Sequence, residues 1–295
     1  MQASARPARL PGTSIRHMGT QLTNDAHRHL GQMPAFPYYG GSPSNPDLRA
    51  PGTVRELIAD LDRDRVYRAL VLPNYGVPDV SVSFGFNQLV LEAAAASDRI
   101  RCGLWVSPRP QDAELTTAAL ALASERGVVA LETSFLLGGG PDDPACQPQL
   151  DQIFATAREH GLVVHVQTSP GGASDIDQVG LLVDKYADDV KLHLVHLGGG
   201  MSGHIKLVNS RFFDWLEAGK KIYTDTSWAI GFAPRWLASE IERRGIGADR
   251  VLFASDEPWG DFAGEVAKMH AAAGDGALGE AMLRGNFAAL YDTRR

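Results

Sequence analysis

The sequence predicts an α/β protein folded as a (β/α)8 TIM barrel, and three observations carry that reading. Short β-type runs alternate with longer amphipathic segments at a nearly constant interval, and those runs number eight. The unusual polar residues fall at their C-terminal ends, where a closed barrel collects its active site. An open doubly wound sheet obeys the same right-handed crossover rule, but no G-x-G-x-x-G follows the first strand.

The eight runs are Leu22 to His29, Ala69 to Pro73, Arg101 to Val106, Val128 to Thr133, Leu162 to Gln167, Lys191 to Leu197, Lys221 to Ser227 and Arg250 to Asp256. Stretches such as Leu70-Val71-Leu72 and Leu162-Val163-Val164 are apolar without alternation, which suits parallel strands buried on both faces. Helices are expected over Thr53 to Asp64, Phe86 to Ser97, Ala113 to Arg126, Leu150 to His160, Asp175 to Tyr186 and Trp236 to Arg244. In the first of them Val54, Leu57, Ile58 and Leu61 recur at offsets of three and four, placing one apolar stripe against the sheet.

Composition narrows the function classes. With 44% apolar and 21% charged residues in 295, the chain can bury a large core, so extensive disorder is excluded. Lys and Arg number 28 against 35 Asp and Glu, a formal charge of −7 without a basic block, which argues against nucleic acid as a partner. No run of 18 apolar residues suggests a membrane span. Two cysteines, Cys102 and Cys146, make neither a disulfide framework nor a thiolate metal site, so a cytoplasmic location is expected. Residues 1–19, rich in Arg, Pro, Ser and Gly, read as a flexible lead-in to a single catalytic domain over 20–295.

The strongest chemical signal is Asp25-Ala26-His27-Arg28-His29. Alternate residues of a strand share a face, so both imidazoles project to one side. His165, His196 and Asp256 lie near the ends of other strands, and imidazole nitrogens with a carboxylate oxygen suit a catalytic divalent ion such as Zn2+. His193 and His196 stand three apart and compete for strand six. His196, which leads into Gly198-Gly199-Gly200, takes the interior place, and His193 is expected to face a helix.

These residues resemble the amidohydrolase-related enzymes that include aminocarboxymuconate semialdehyde decarboxylase-like proteins. Besides Asp25 to His29, the likeness rests on His165, His196-Leu197-Gly198-Gly199, Tyr223-Thr224-Asp225-Thr226-Ser227, Phe253-Ala254-Ser255-Asp256-Glu257-Pro258 and Leu283 to Tyr291. It implies that His27, His29, His165 and Asp256 bind the metal, and that His196 assists catalysis beside it. It also implies a small-molecule substrate and suggests a homodimer. Ala254 stands where the family often has glycine. The segment between strands one and two is shorter than in the family's larger decarboxylases, which weighs against decarboxylation.

The expected reaction is hydrolysis of an ester, lactone or amide, with Asp256 relaying a proton and His196 steadying developing negative charge. Zn2+ leads as the ion and Mn2+ is an alternative, since either can acidify a water molecule. Decarboxylation of an aromatic or muconate-like acid is the second reading, and a ligand-binding barrel without turnover is the third. Glu132, Trp228, Trp259 and Tyr39 are expected to line the substrate pocket, with Glu132 alternatively bridging a second metal and Phe36 and Tyr38 as further aromatic candidates. Arg49, Arg109, His204, Lys206 and Arg235 are candidates for orienting an anionic group.

Overall fold

The computed structural model describes residues 22–32, 50–74 and 81–292. Among these, eight parallel strands pair in sequence order: β1 (Thr23–Leu30), β2 (Val66–Pro73), β3 (Ile100–Trp105), β4 (Val128–Thr133), β5 (Val163–Val166), β6 (Lys191–Leu194), β7 (Ile222–Asp225) and β8 (Val251–Leu252). The ring closes through backbone bonds from Ala26 N to Phe253 O (3.0 Å), Asp256 N to His27 O (2.8 Å) and His29 N to Glu257 O (2.8 Å). The predicted (β/α)8 barrel is therefore the observed fold.

Helices cover the outside. They are α1 (Val54–Arg63), α2 (Ser81–Ala96), α3 (Ala113–Leu120), α4 (Gln147–His160), α5 (Ile176–Tyr186), α6 (Gly200–Lys206), α7 (Phe212–Glu217), α8 (Phe232–Arg244), α9 (Phe262–Ala273), α10 (Ala277–Glu280) and α11 (Asn286–Tyr291). At the start of α1, Thr53 Oγ1 accepts from Glu56 N while the Glu56 carboxylate accepts from Gly52 N, so two orphan donors are satisfied. Along α2 the apolar stripe carries Asn87, whose amide bonds both N and O of Trp105 (2.7 and 3.1 Å) and caps the end of β3. No helix among the described residues is long and apolar enough to cross a membrane.

The core has two layers. Leu57, Leu61, Val71, Leu104, Leu131, Val164, Leu192 and Leu194 face the helices. Ala26, Leu70, Leu72, Ala130, Val163, Leu252 and Ala254 fill the barrel together with Phe287, Leu290 and Tyr291 of α11. Each large side chain of that plug contributes about 1.5–3 kcal/mol by leaving water. The plug enters from the N-terminal end of the strands, because Asn286 donates to Ala248 O and Val251 O and Asn24 donates to Arg284 O.

β1 carries the irregularity that matters for function. Between Asp25 and Arg28 it spends three steps against two of β2, from Ala69 to Val71. Such a bulge re-aims side chains. Arg28 turns out to pair with Asp64 and Asp25, while His27 and His29 meet in the interior.

Candidate functional site

Three ligand-type atoms converge at the C-terminal mouth of the barrel. His27 Nε2 lies 3.0 Å from His29 Nε2, and Asp256 Oδ1 lies 3.2 Å from the first and 3.0 Å from the second. His29 Nδ1 is 3.0 Å from Pro73 O. A carbonyl only accepts, so Nδ1 carries the proton and the neutral ring directs an Nε2 lone pair at an acceptor carboxylate. At this range a positive charge must lie among the three atoms, either a proton on His29 or a cation bound by all of them. The edge of a four-coordinate zinc site built on N and O ligands is about 3.3 Å, and these separations fit it. The Pro73 contact is the outer bond that fixes the tautomer of a ligating histidine.

Other donors surround this triangle. His165, aligned with Glu132 of β4 and His193 of β6, packs edge-on against His27 at 4.6 Å, and its buried Nε2 has no hydrogen-bond partner. Ligand atoms of His27, His165 and Asp225 lie within 4.8 Å of one another, as do those of His27, His29 and Glu132. Burial, reinforced by the His165 and His29 rings, pushes the His27 pKa well below the ordinary imidazole range. Burial and His193 do the same to His165. Both rings are thus kept neutral, the form that ligates. Burial opposes protonation of His29 as well, but the hydrogen bond and charge of Asp256 outweigh it and raise its pKa.

Asp256 is set by backbone bonds. Its carbonyl accepts from Trp259 N and Gly260 N (2.7 and 2.8 Å). The preceding Ser255 is tied by N and Oγ to the Asp25 carboxylate (2.9 and 2.6 Å), which joins the end of strand eight to β1. Burial raises the Asp25 pKa to about 6.

His196 Nε2 stands 3.9 Å from Asp256 Oδ2, and its ring stacks at 5.3 Å on His27. Both His196 and Asp256 border a cavity of about 450 Å3 whose walls include Leu136, Leu137, Pro170, Trp228 and Trp259. The two tryptophans expected in the pocket are there. Glu132 lies deeper, in the ligand cluster, and Tyr39, Phe36, Tyr38 and Arg49 fall outside the described residues.

His193 corrects the sequence reading. It faces the barrel interior, with Nδ1 2.7 Å from Tyr291 Oη and Nε2 3.0 Å from Asp225 Oδ2. The alternation that set His193 against His196 ends with β6 at Leu194. His196 sits beyond it at φ +60, so both histidines point inward. The expected anion-orienting cations are engaged elsewhere: Arg109 with Asp112 and Leu137 O, Lys206 with Asp175 and Asp177, and His204 with Leu197 O. Arg235 is exposed on α8.

Asp225, noted only within the Tyr223 to Ser227 stretch, was given no role of its own by the sequence. Asp225 Oδ1 accepts from His196 N (3.1 Å), Ser227 N (3.0 Å) and Ser227 Oγ (2.6 Å), and Ser227 Oγ lies 2.8 Å from His196 Nδ1. Burial opposes ionisation of Asp225, but His193, His196 and Ser227 together outweigh it and hold the pKa below the usual carboxylate value. The available signal was a carboxylate closing strand seven, the same placement that singled out Asp256.

A family model described as amidohydrolase matches residues 25–293. No curated protein sequence matches the chain. Solved structures with the same fold include 2,6-dihydroxybenzoate decarboxylase from Rhizobium, with 16% identity, TM-score 0.66, and coverage of 92% of this chain and 99% of that one. A 5-carboxyvanillate decarboxylase from Novosphingobium aromaticivorans, with bound manganese and 3-methoxy-4-hydroxy-5-nitrobenzoic acid, has 18% identity and TM-score 0.64, over 92% and 97% of the two chains. A probable 2-pyrone-4,6-dicarboxylic acid hydrolase from Acinetobacter baumannii, with citric acid bound, has 14% identity and TM-score 0.61, over 92% and 100%. From the strand bearing the paired histidines to the helix that plugs the barrel, the chain belongs to the amidohydrolase family.

Proposed function

We propose that this amidohydrolase is a divalent-metal-dependent hydrolase acting on an ester, lactone or amide bond of a small planar substrate. The observation that carries the reading is the triangle of His27 Nε2, His29 Nε2 and Asp256 Oδ1, with edges of 3.0–3.2 Å, at the edge of a cavity walled by Trp228 and Trp259. His27, His29, His165 and Asp256 would hold the ion, Zn2+ or Mn2+, with Glu132 and Asp225 close enough to complete or tune the set. Such an ion supplies Lewis acidity, lowering the pKa of water toward about 7 or polarising a carbonyl.

The protein's own groups do the rest. Asp256 directs Oδ1 at the two histidines and has Oδ2 turned toward the cavity beside His196, 3.9 Å from its Nε2, so Oδ2 is placed to accept a proton. The tryptophans and Leu136, Leu137 and Pro170 offer flat apolar walls that orient a ring and exclude water. With Arg109 and Lys206 committed to internal partners, neither serves as a second carboxylate clamp, which favours a substrate bound chiefly by its flat face.

Decarboxylation is the second reading, because the same walls beside the same cluster suit a carboxylated aromatic ring, and two of the structures described above bear decarboxylase names. One panel separates the two. The chain is stripped of metal, reloaded with Zn2+ or Mn2+, and offered aryl esters, lactones, amides and hydroxybenzoates with mass detection of products. Metal-dependent addition of water supports hydrolysis, carbon dioxide release transfers the function to the second reading, and full turnover after metal removal overturns both.

A further inference from the structure

We propose that Asp225 and Ser227 are positioning residues that hold His196 in its Nδ1–H tautomer, so that the group it presents to the cavity is the Nε2 lone pair, a proton acceptor. This rests on the hydrolase reading only for its catalytic consequence. The proton positions follow from the geometry. A 2.6 Å contact between Ser227 Oγ and Asp225 Oδ1 requires a proton between them, and Oδ1, which already accepts from His196 N and Ser227 N, has none to give. Ser227 therefore donates to Asp225. A hydroxyl has one proton, so toward His196 Nδ1, 2.8 Å away, Ser227 Oγ is an acceptor, and Nδ1 must carry the hydrogen. In the neutral ring Nε2 is then unprotonated and faces Asp256 Oδ2.

Below Asp225 the contacts continue to His193 and Tyr291. Asp225 Oδ2 stands 3.0 Å from His193 Nε2, a close electrostatic contact without hydrogen-bond geometry. On the other side of the ring, His193 Nδ1 is 2.7 Å from Tyr291 Oη. Tyr291 belongs to α11, the helix that plugs the far end of the barrel. All five members are buried, so water does not compete for these bonds.

The inference changes the role expected of His196. Steadying a developing negative charge needs an N–H directed at it, and this network removes the hydrogen from Nε2. His196 instead takes a proton.

The test reads the imidazole itself. In the full chain labelled with 15N-histidine, two-bond 15N–1H correlation spectra of the metal-loaded enzyme should show a protonated, pyrrole-type Nδ1 and a pyridine-type Nε2 at His196. Ser227→Ala should convert it to a mixture of tautomers and lower kcat about tenfold or more with KM little changed, and Ser227→Thr should restore both readouts. An Nε2–H tautomer in the unaltered protein overturns the proposal, as does an unchanged spectrum in Ser227→Ala. The first measurement needs no variant to fold. A chain with the expected tautomer but no metal-dependent turnover would retire the hydrolase reading and leave the positioning role standing.

Discussion

Replacing Gly199 by alanine tests how closely the loop after β6 is fitted to the loop after β5. A Cβ at Gly199 would stand 2.5 Å from both N and Cα of Ser169 and 2.7 Å from the carbonyl carbon of Thr168, and the residue sits at φ +71. Ordinary contact begins near 3.4 Å, so the Ser169 backbone must retreat by nearly 1 Å. Overpacking of this kind costs about 1–3 kcal/mol, and holding a non-glycine residue at positive φ adds about 1–2 kcal/mol. At about 2–4 °C per kcal/mol for a large domain, Tm should fall by roughly 5–15 °C. The displaced residues, Thr168 and Ser169, line the same cavity as His196. A misplacement of about 1 Å in a catalytic site costs on the order of a hundredfold in rate, so kcat/KM should fall by about that factor. Gly161→Ala is the control: it sits at φ +64 after α4, but nothing lies within 4 Å of its Cβ. It should cost only the backbone strain, about 1–2 kcal/mol, and leave activity intact. Thermal denaturation and steady-state kinetics on both variants decide the matter. If Gly199→Ala keeps wild-type kcat/KM, or if Gly161→Ala is equally damaging, the fit between the two loops does not matter as reasoned.

Three further outcomes are expected. Chelation should lower Tm relative to protein held at a hundredfold excess of metal over Kd, since binding then contributes about 2.7 kcal/mol, or roughly 5–10 °C; His29→Ala should abolish that difference in a thermal-shift assay while remaining folded. Trp259→Ala removes a cavity wall anchored by its Nε1 bond to Asn74 (2.8 Å), so KM for a planar substrate should rise about tenfold with a smaller change in kcat. Tyr291→Phe leaves His193 Nδ1 buried without its partner and should cost about 1–3 kcal/mol in urea unfolding, with metal content unchanged by elemental analysis.

Most of the barrel was legible because its signals are local. Short apolar runs such as Leu162-Val163-Val164 and the three-four spacing in α1 report burial directly, and both elements stand where expected. The pairing of His27 with His29 was equally readable, since a strand's period survives even with the bulge that precedes His29. What failed was alternation carried past the end of a strand. β6 stops at Leu194 rather than Leu197, and β8 at Leu252 rather than Asp256, because the chain beyond turns inward to bond β1 and the loops. The helices α6, α7, α9 and α10 were not among those expected, the first because its glycine-rich start reads as loop alone. Asp225 lay in a stretch already noted, but its partners are 29 and 32 residues away in sequence, and only the fold brings His196 and His193 to it.

The loops beyond the strands share a feature that no periodicity encodes. Apart from Arg65, the non-glycine residues at positive φ among those described are His196, Leu197, Trp228 and Asp256, following strands six, seven and eight. Side chains resist that conformation at about 1–3 kcal/mol each, and it persists only where surrounding bonds over-determine it. Those bonds are visible here: Asp225 Oδ1 holds His196 N, and His27 O holds Asp256 N. At Asp256 the left-handed turn follows a segment stapled to β1 through Asp25, which brings its carboxylate to the two histidines; at His196 it points the imidazole inward after the strand's own alternation has ended. A barrel strand offers an inward side chain only at every second position, and its last inward layer here is already occupied by Glu132, His165 and His193. Placing a further acid and a further imidazole above that layer requires the backbone to turn where it otherwise would not. The strain is therefore the geometric condition for having two chemically active tiers at one barrel mouth, and it marks His196 and Asp256 as the upper tier, the one that meets the cavity.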